Sequence, residues 1–132
     1  MRVLWLSALL LLPALLLPVP QAEAQRASPH DGTYEGTRLQ ECRRTGRSGQ
    51  QRVTAELQGA RLIIPALPGD PSLDAAVGPT GAVTLPSFGL FGAGTGQIFE
   101  GPNNARRFTG SHPGRGDCQI LYDLRRTRTR GG

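Results

Sequence analysis

Two cysteines, two histidines and an all-arginine basic set are the side chains of this chain best suited to chemistry. Cys42 and Cys118 could form a structural disulfide, a redox pair or a thiol nucleophile. They are the only cysteines, and they stand in no C-x-x-C pair. In an oxidising compartment such a pair reads as one structural disulfide. It closes a loop of roughly 75 residues, a restriction on the unfolded chain of about 4–5 kcal/mol in the chain-entropy model. His30 and His112 have Asp31 and Asp117 nearby in sequence, so a metal site or an acid–base pair would have to use them. They are expected instead as solvent-exposed loop histidines near opposite ends of the fold. No metal ligand and no catalytic residue is assigned. No G-x-S-x-G nucleophile elbow occurs, and a small periplasmic hydrolase built on either histidine is kept as an alternative.

All fifteen basic residues are arginine, and the net charge is +5. Without lysine the chain can form no Lys Schiff base, Walker-type phosphate site or Ser–Lys dyad. Arg43, Arg44 and Arg47, together with Arg125, Arg126, Arg128 and Arg130 near the C-terminus, make a candidate anion patch. Guanidinium groups bond phosphate and carboxylate in pairs, which would suit lipopolysaccharide or acidic glycans at an envelope surface. No aromatic residue interleaves the C-terminal run. Bases would have nothing to stack on, and nucleic acid is disfavoured as a partner. The plainer reading of residues 126–132 is a solvated Arg-rich tail.

Gly89–Gly96 has the look of a phosphate cradle but lacks both G-x-G-x-x-G and G-K-[ST], and no helix is expected after it. It reads as a β-loop, or as glycines where backbones pack closely. Phe88 and Phe91 within and beside it form a candidate ligand lid over an apolar pocket. Arg115-Gly116-Asp117 is an adhesion tripeptide by composition and a turn into a strand by context. No cofactor motif is present.

The elements that must position these residues begin after residue 24. Arg2, the apolar run of residues 3–17, Pro18, Pro20 and Ala22-Glu23-Ala24 compose a secretory signal peptide over 1–24. The apolar run is short of the roughly 20 residues that a spanning helix needs, and Pro13 interrupts it. A disordered lead-in over 25–31 precedes a single β domain over 32–125. The expected strands cover 33–42, 52–58, 61–64, 72–77, 82–85, 97–100, 106–109 and 118–125. Alternation is cleanest in the segment holding Val53, Ala55 and Leu57, which joins Leu62 and Ile64 through Gly59-Ala60 as a hairpin. Residues 43–50 and 111–117 read as loops, and a short helical turn competes with the strand at 72–77. About eight short strands and no convincing helix give an all-β fold, a small antiparallel up-and-down barrel or a sandwich. In a closed barrel the first and last strands are antiparallel neighbours, so the cysteines would pin the seam.

The run Asp31-Gly32-Thr33-Tyr34-Glu35-Gly36, then Cys42 and a partner cysteine in the final strand, resembles small exported bacterial β-proteins of unassigned function. In size, export and single disulfide the chain is also similar to periplasmic protease or lysozyme inhibitors with small β-barrels, though it carries no inhibitory motif. The expected function is an exported, non-enzymatic binding module. Its ligand would be a small molecule, an envelope component or a protein, and its location secreted or periplasmic.

Overall fold

A computed structural model describes residues 27–129. The expected signal peptide over 1–24 and Arg130 lie outside the described residues. Eight antiparallel strands form a closed barrel in chain order: β1 (Gly32–Cys42), β2 (Arg47–Gln58), β3 (Arg61–Ile64), β4 (Leu73–Val77), β5 (Ala82–Leu85), β6 (Gly94–Glu100), β7 (Arg106–Pro113) and β8 (Cys118–Thr129). The sandwich alternative is thereby excluded, and 72–77 is strand, not helical turn. None of the described helices is long and apolar enough to cross a membrane.

Period-two alternation generates this barrel strand by strand. In β2, Val53, Ala55 and Leu57 are buried while Thr54, Glu56 and Gln58 are exposed. In β4 the buried row is Leu73, Ala75 and Val77, and in β8 it is Ile120, Tyr122 and Leu124. All these rows point inward and meet in one apolar cluster that also includes Tyr34, Leu62, Ile98 and Phe108. Side chains fill an eight-stranded barrel of this kind, and each large one that is fully buried contributes about 1.5–3 kcal/mol.

The glycines of the Gly-rich stretch belong to this packing. Gly94 and Gly96 are in β6, and Gly96 is paired with Gly110 of β7. Their bare faces leave room for the Phe108 ring: a Cβ on Gly96 would stand 2.5 Å from Phe108 Cε2, and one on Gly110 would stand 2.8 Å from its Cζ. Gly96→Ala is therefore expected to destabilise by about 1–3 kcal/mol through overpacking, read as a lowered urea midpoint at unchanged slope.

The seam strand β1 is laddered over its full length on both sides. β1 pairs with β8 from Gly32↔Thr129 to Cys42↔Cys118, and with β2 from Gly32↔Leu57 to Cys42↔Arg47. Cys42 and Cys118 are disulfide-bonded, with Cα atoms 3.9 Å apart. The opposite wall is lower. β2 pairs with β3 only over Glu56–Gln58, and β4 with β5 only at Ala76 and Val77. At the cysteine end the β1–β2 ribbon thus rises past its β3 neighbour, leaving Arg47 to Ala55 laddered on one side.

Several boundaries differ from the sequence expectation for physical reasons. β2 starts at Arg47, because β1 offers a partner for each residue of the polar run 47–51. β7 continues to Pro113 for the same reason, laddered to β8. Residues 28–31 do not trail as a disordered lead-in: Arg126 donates to the carbonyls of Pro29 and Asp31, and Tyr34 Oη donates to that of His30 at 2.6 Å. Arg126 and Arg128 are likewise strand residues of β8 rather than a free tail.

Candidate functional site

The two ends of the barrel differ in chemistry. At the end where β1 begins, residues 28–31 cross the opening as a strap. His30, a residue of this strap, is buried, and its Nδ1 accepts from Arg106 Nε at 3.3 Å. Arg106 also donates to the Ala105 carbonyl and lies 3.6 Å from Glu100. Arg126 donates to Pro29, Asp31 and Asn104 carbonyls. Burial and the Arg106 charge hold the His30 pKa below the ordinary histidine value. Tyr34 is pushed up to about 12, chiefly by burial, so it stays a phenol and a donor. The arginines Arg106 and Arg126 serve the fold here.

At the cysteine end the central residue is Arg38. It stands on the inward row of β1, after Tyr34 and Gly36, and is 3% exposed. Nη1 donates to Gln51 Oε1 at 2.7 Å, and Nη2 lies 2.9 Å from Asp70 Oδ2. The guanidinium carbon sits 5.7 Å from the centroid of the Phe88 ring, within cation–π range. A buried cation costs several kcal/mol of desolvation, which carboxylate and amide partners offset only in part. Unlike Arg106, which is held at the closed strap end, Arg38 faces a cleft, and a buried cation so placed marks a candidate site.

Arg38 forms part of the wall of a cleft of about 460 Å³. One side of the cleft is the ribbon, with Gln40, Cys42 and Arg47 through Gln51; the other is the β3–β4 turn, with Pro68 and Asp70. That turn is bonded to itself, Leu67 N to Asp70 O at 3.2 Å and Asp70 N to Leu67 O at 2.9 Å. Arg47 in that wall and Arg43 and Arg44 in the β1–β2 turn that begins after Cys42 are exposed, without ion-pair partners among the described residues.

His112 lies deeper at the same end and is 0% exposed. It is a residue of β7, not a loop histidine, and it faces inward. The Gly92 carbonyl lies 3.0 Å from Nδ1 and can only accept, so the proton is on Nδ1. Nε2 is buried with no partner among the described residues. The ring packs edge-on to Phe88 at 5.0 Å and to Tyr122 at 5.5 Å. Burial, aided by Arg38, keeps its pKa low. His30 and His112 do occupy opposite ends, as expected, but both are buried where solvent exposure was expected. The inward pattern of β7 and the strap account for the difference. Neither ring hydrogen-bonds a serine or a carboxylate among the described residues.

The remaining sequence-predicted residues distribute as follows. Phe88 and Phe91 bridge to each other through their backbones, with ring centroids 5.5 Å apart. Phe88 is buried in the core with its ring edge-on to His112, and Phe91 is partly buried and packs against the core. The arginines expected in one patch are separated by the register. Glu35 pairs with Arg125 and Tyr34 with Arg126, at the strap end, whereas Arg43, Arg44 and Arg47 follow Cys42 at the other. Antiparallel pairing with β1 carries β8 away from the cysteine as it runs toward its arginines. Arg107 is engaged by Asp123, which accepts from it at 2.8 and 2.6 Å and is held below the usual carboxylate range by those bonds. Arg115-Gly116-Asp117 forms the turn into β8, with Gly116 at φ 66°. Arg38, Gln51 and Asp70 were not among the predicted site residues, although the alternation of β1 already placed Arg38 on the inward row. No protein-family model, curated protein or solved structure matches the chain.

Proposed function

We propose that this protein is an exported, non-enzymatic binding module that holds its ligand or partner at the cysteine end of the barrel. The observation that carries the reading is Arg38, a buried guanidinium exposed only to a polar cleft, where Asp70 occupies it. Arg47 in the same wall and Arg43 and Arg44 in the adjoining β1–β2 turn favour a ligand carrying negative charge. The filled interior supports binding at the mouth over binding inside the barrel. Export is supported by the signal-like segment over 1–24 and by the long-range disulfide, a bond of oxidising compartments. A non-enzymatic role is supported by the histidines, each bonded to a structural partner.

The test is affinity capture from an envelope extract by the oxidised protein and two charge-reversed variants. One carries Arg43→Glu, Arg44→Glu and Arg47→Glu; the other carries Arg125→Glu and Arg128→Glu. The ligand or partner retained by the wild type is expected to be lost with the first variant and kept with the second. Capture should also weaken steeply between low and physiological salt. Loss only with the second variant, or equal retention by both, overturns the reading.

A further inference from the structure

The cleft has one wall that a small-ligand site does not require, an open strand edge. β2 is laddered to β1 from Arg47 to Leu57, but its β3 pairing covers only Glu56–Gln58. On that side Arg47 to Ala55 have no registered strand partner among the described residues. A barrel closes in order to remove such edges, and an edge left open is a template for another strand. Here it faces a groove whose far wall is the self-bonded turn at Leu67–Asp70. We infer that this groove binds an extended, acidic segment of a partner polypeptide, which adds to the open edge of β2 and places a carboxylate on Arg38. The inference rests on the cysteine-end reading above and names the partner's chemistry.

Three observations select that occupant. First, the outer part of the edge, residues 47–52, carries Arg47 and Arg52 and has no acidic or apolar side chain, with Ser48, Gly49, Gln50 and Gln51 between them. A second copy pairing edge to edge would add two more arginines to the same short edge with no acidic residue to meet them, and like charges close together disfavour a strand pair. An acidic strand meets the reverse condition, reinforced by the charge of Arg43 and Arg44 in the turn that leads into β2. Second, main-chain bonds along an edge supply affinity in strand addition, while alternate side chains enter pockets. The groove supplies such a pocket at Arg38. Third, Asp70 Oδ2 stands 2.9 Å from Nη2 without the alignment of a hydrogen bond, so Nη2 is a buried donor still without an acceptor among the described residues, which a better-placed carboxylate would satisfy. Asp70 lies on the turn opposite the edge, so it acts as an internal competitor that an incoming carboxylate displaces.

The probe is a blocked eight-residue peptide alternating Asp and Val, titrated into the oxidised, ¹⁵N-labelled protein. Amide shifts and slowed hydrogen exchange are expected at residues 48–54. Two versions of the peptide, N-methylated at its odd or its even residues, should differ by tenfold or more, because only one set of N–H groups faces β2. Replacing Asp by Lys in the peptide should weaken binding at least tenfold. Asp70→Asn, which removes the competitor, should tighten it about threefold or more. Equal binding of the two N-methylated versions, or of the Asp and Lys peptides, overturns strand addition. If that happens while capture still depends on Arg43, Arg44 and Arg47, only the strand mode falls. If capture is also indifferent to those arginines, the cysteine-end reading falls with it.

Discussion

Reducing Cys42–Cys118 is expected to cost about 4.5 kcal/mol of stability, the chain-entropy value for a loop of this length. The bond joins residues 76 apart in sequence, at the last pair of the β1–β8 ladder. Without it the two most distant strands must find each other with no covalent help. A domain of roughly a hundred residues has only about 5–15 kcal/mol to lose, and its Tm moves about 4–8 °C per kcal/mol. The expected result is a Tm lower by roughly 20 °C or more in Cys42→Ser/Cys118→Ser, matched by the wild type in reductant. Amide exchange should accelerate first at residues 39–42 and 118–121, where the seam frays. The cost should also exceed that of Gly96→Ala, which disturbs packing within a ladder and leaves closure intact. A reduced protein melting within a few degrees of the oxidised one would mean that the β1–β8 ladder closes the barrel unaided.

The seam was legible in the sequence because two signals agreed. Alternation set Cys42 on the inward row of the first strand and Cys118 on that of the last, and closure makes those strands neighbours. The core was legible for the same reason, through Val53, Ala55, Leu57, Leu62 and Ile64. The site was much less so. Arg38 stands in an inward row, yet an arginine at such a position has meaning only once Asp70 and Gln51 are seen to meet it. Those partners come from elements 32 and 13 residues away by the numbering. Their meeting depends on a turn between prolines and on the unequal heights of the barrel walls, and no local pattern encodes either. The basic patch failed in the opposite direction. Arg43, Arg44 and Arg47 and the C-terminal arginines were joined by likeness of charge, whereas the antiparallel register holds them at opposite ends. His112 shows a third limit. A histidine before a Gly-rich turn reads as loop, but the ladder to β8 extends β7 through it and turns its ring inward.

Acidification is expected to weaken the fold steeply below about pH 6.5, the unfolded histidine value. Both histidines have folded-state pKa values lowered mainly by burial. Below the unfolded value the unfolded chain binds more protons than the folded one, so stability falls with pH until the folded values are passed. Above that value neither histidine imposes a penalty. The slope can reach about 1.4 kcal/mol per pH unit for each histidine, or about 2.7 for the two together. The structural reasons are specific. His30 Nδ1 accepts from Arg106 Nε, so a second proton there would remove the bond and set imidazolium against guanidinium. Arg126 adds to that repulsion, while Glu100 and the Pro79 carbonyl oppose it. His112 already donates from Nδ1, and a proton on Nε2 would have no acceptor among Phe88, Tyr122 and Arg38. Asp123, whose pKa is lowered by Arg107, contributes in the other window: its stabilisation is present above the unfolded carboxylate value and is lost only as pH falls through the lower folded one. Urea titrations at about pH 7.5, 6.5 and 5.5 should therefore show a falling free energy that carboxylates do not explain. His30→Asn and His112→Asn should each flatten the slope by up to one proton, even where they lower stability throughout. A profile that stays level across this range would show that the buried rings take up protons without cost, against the bonding described for both.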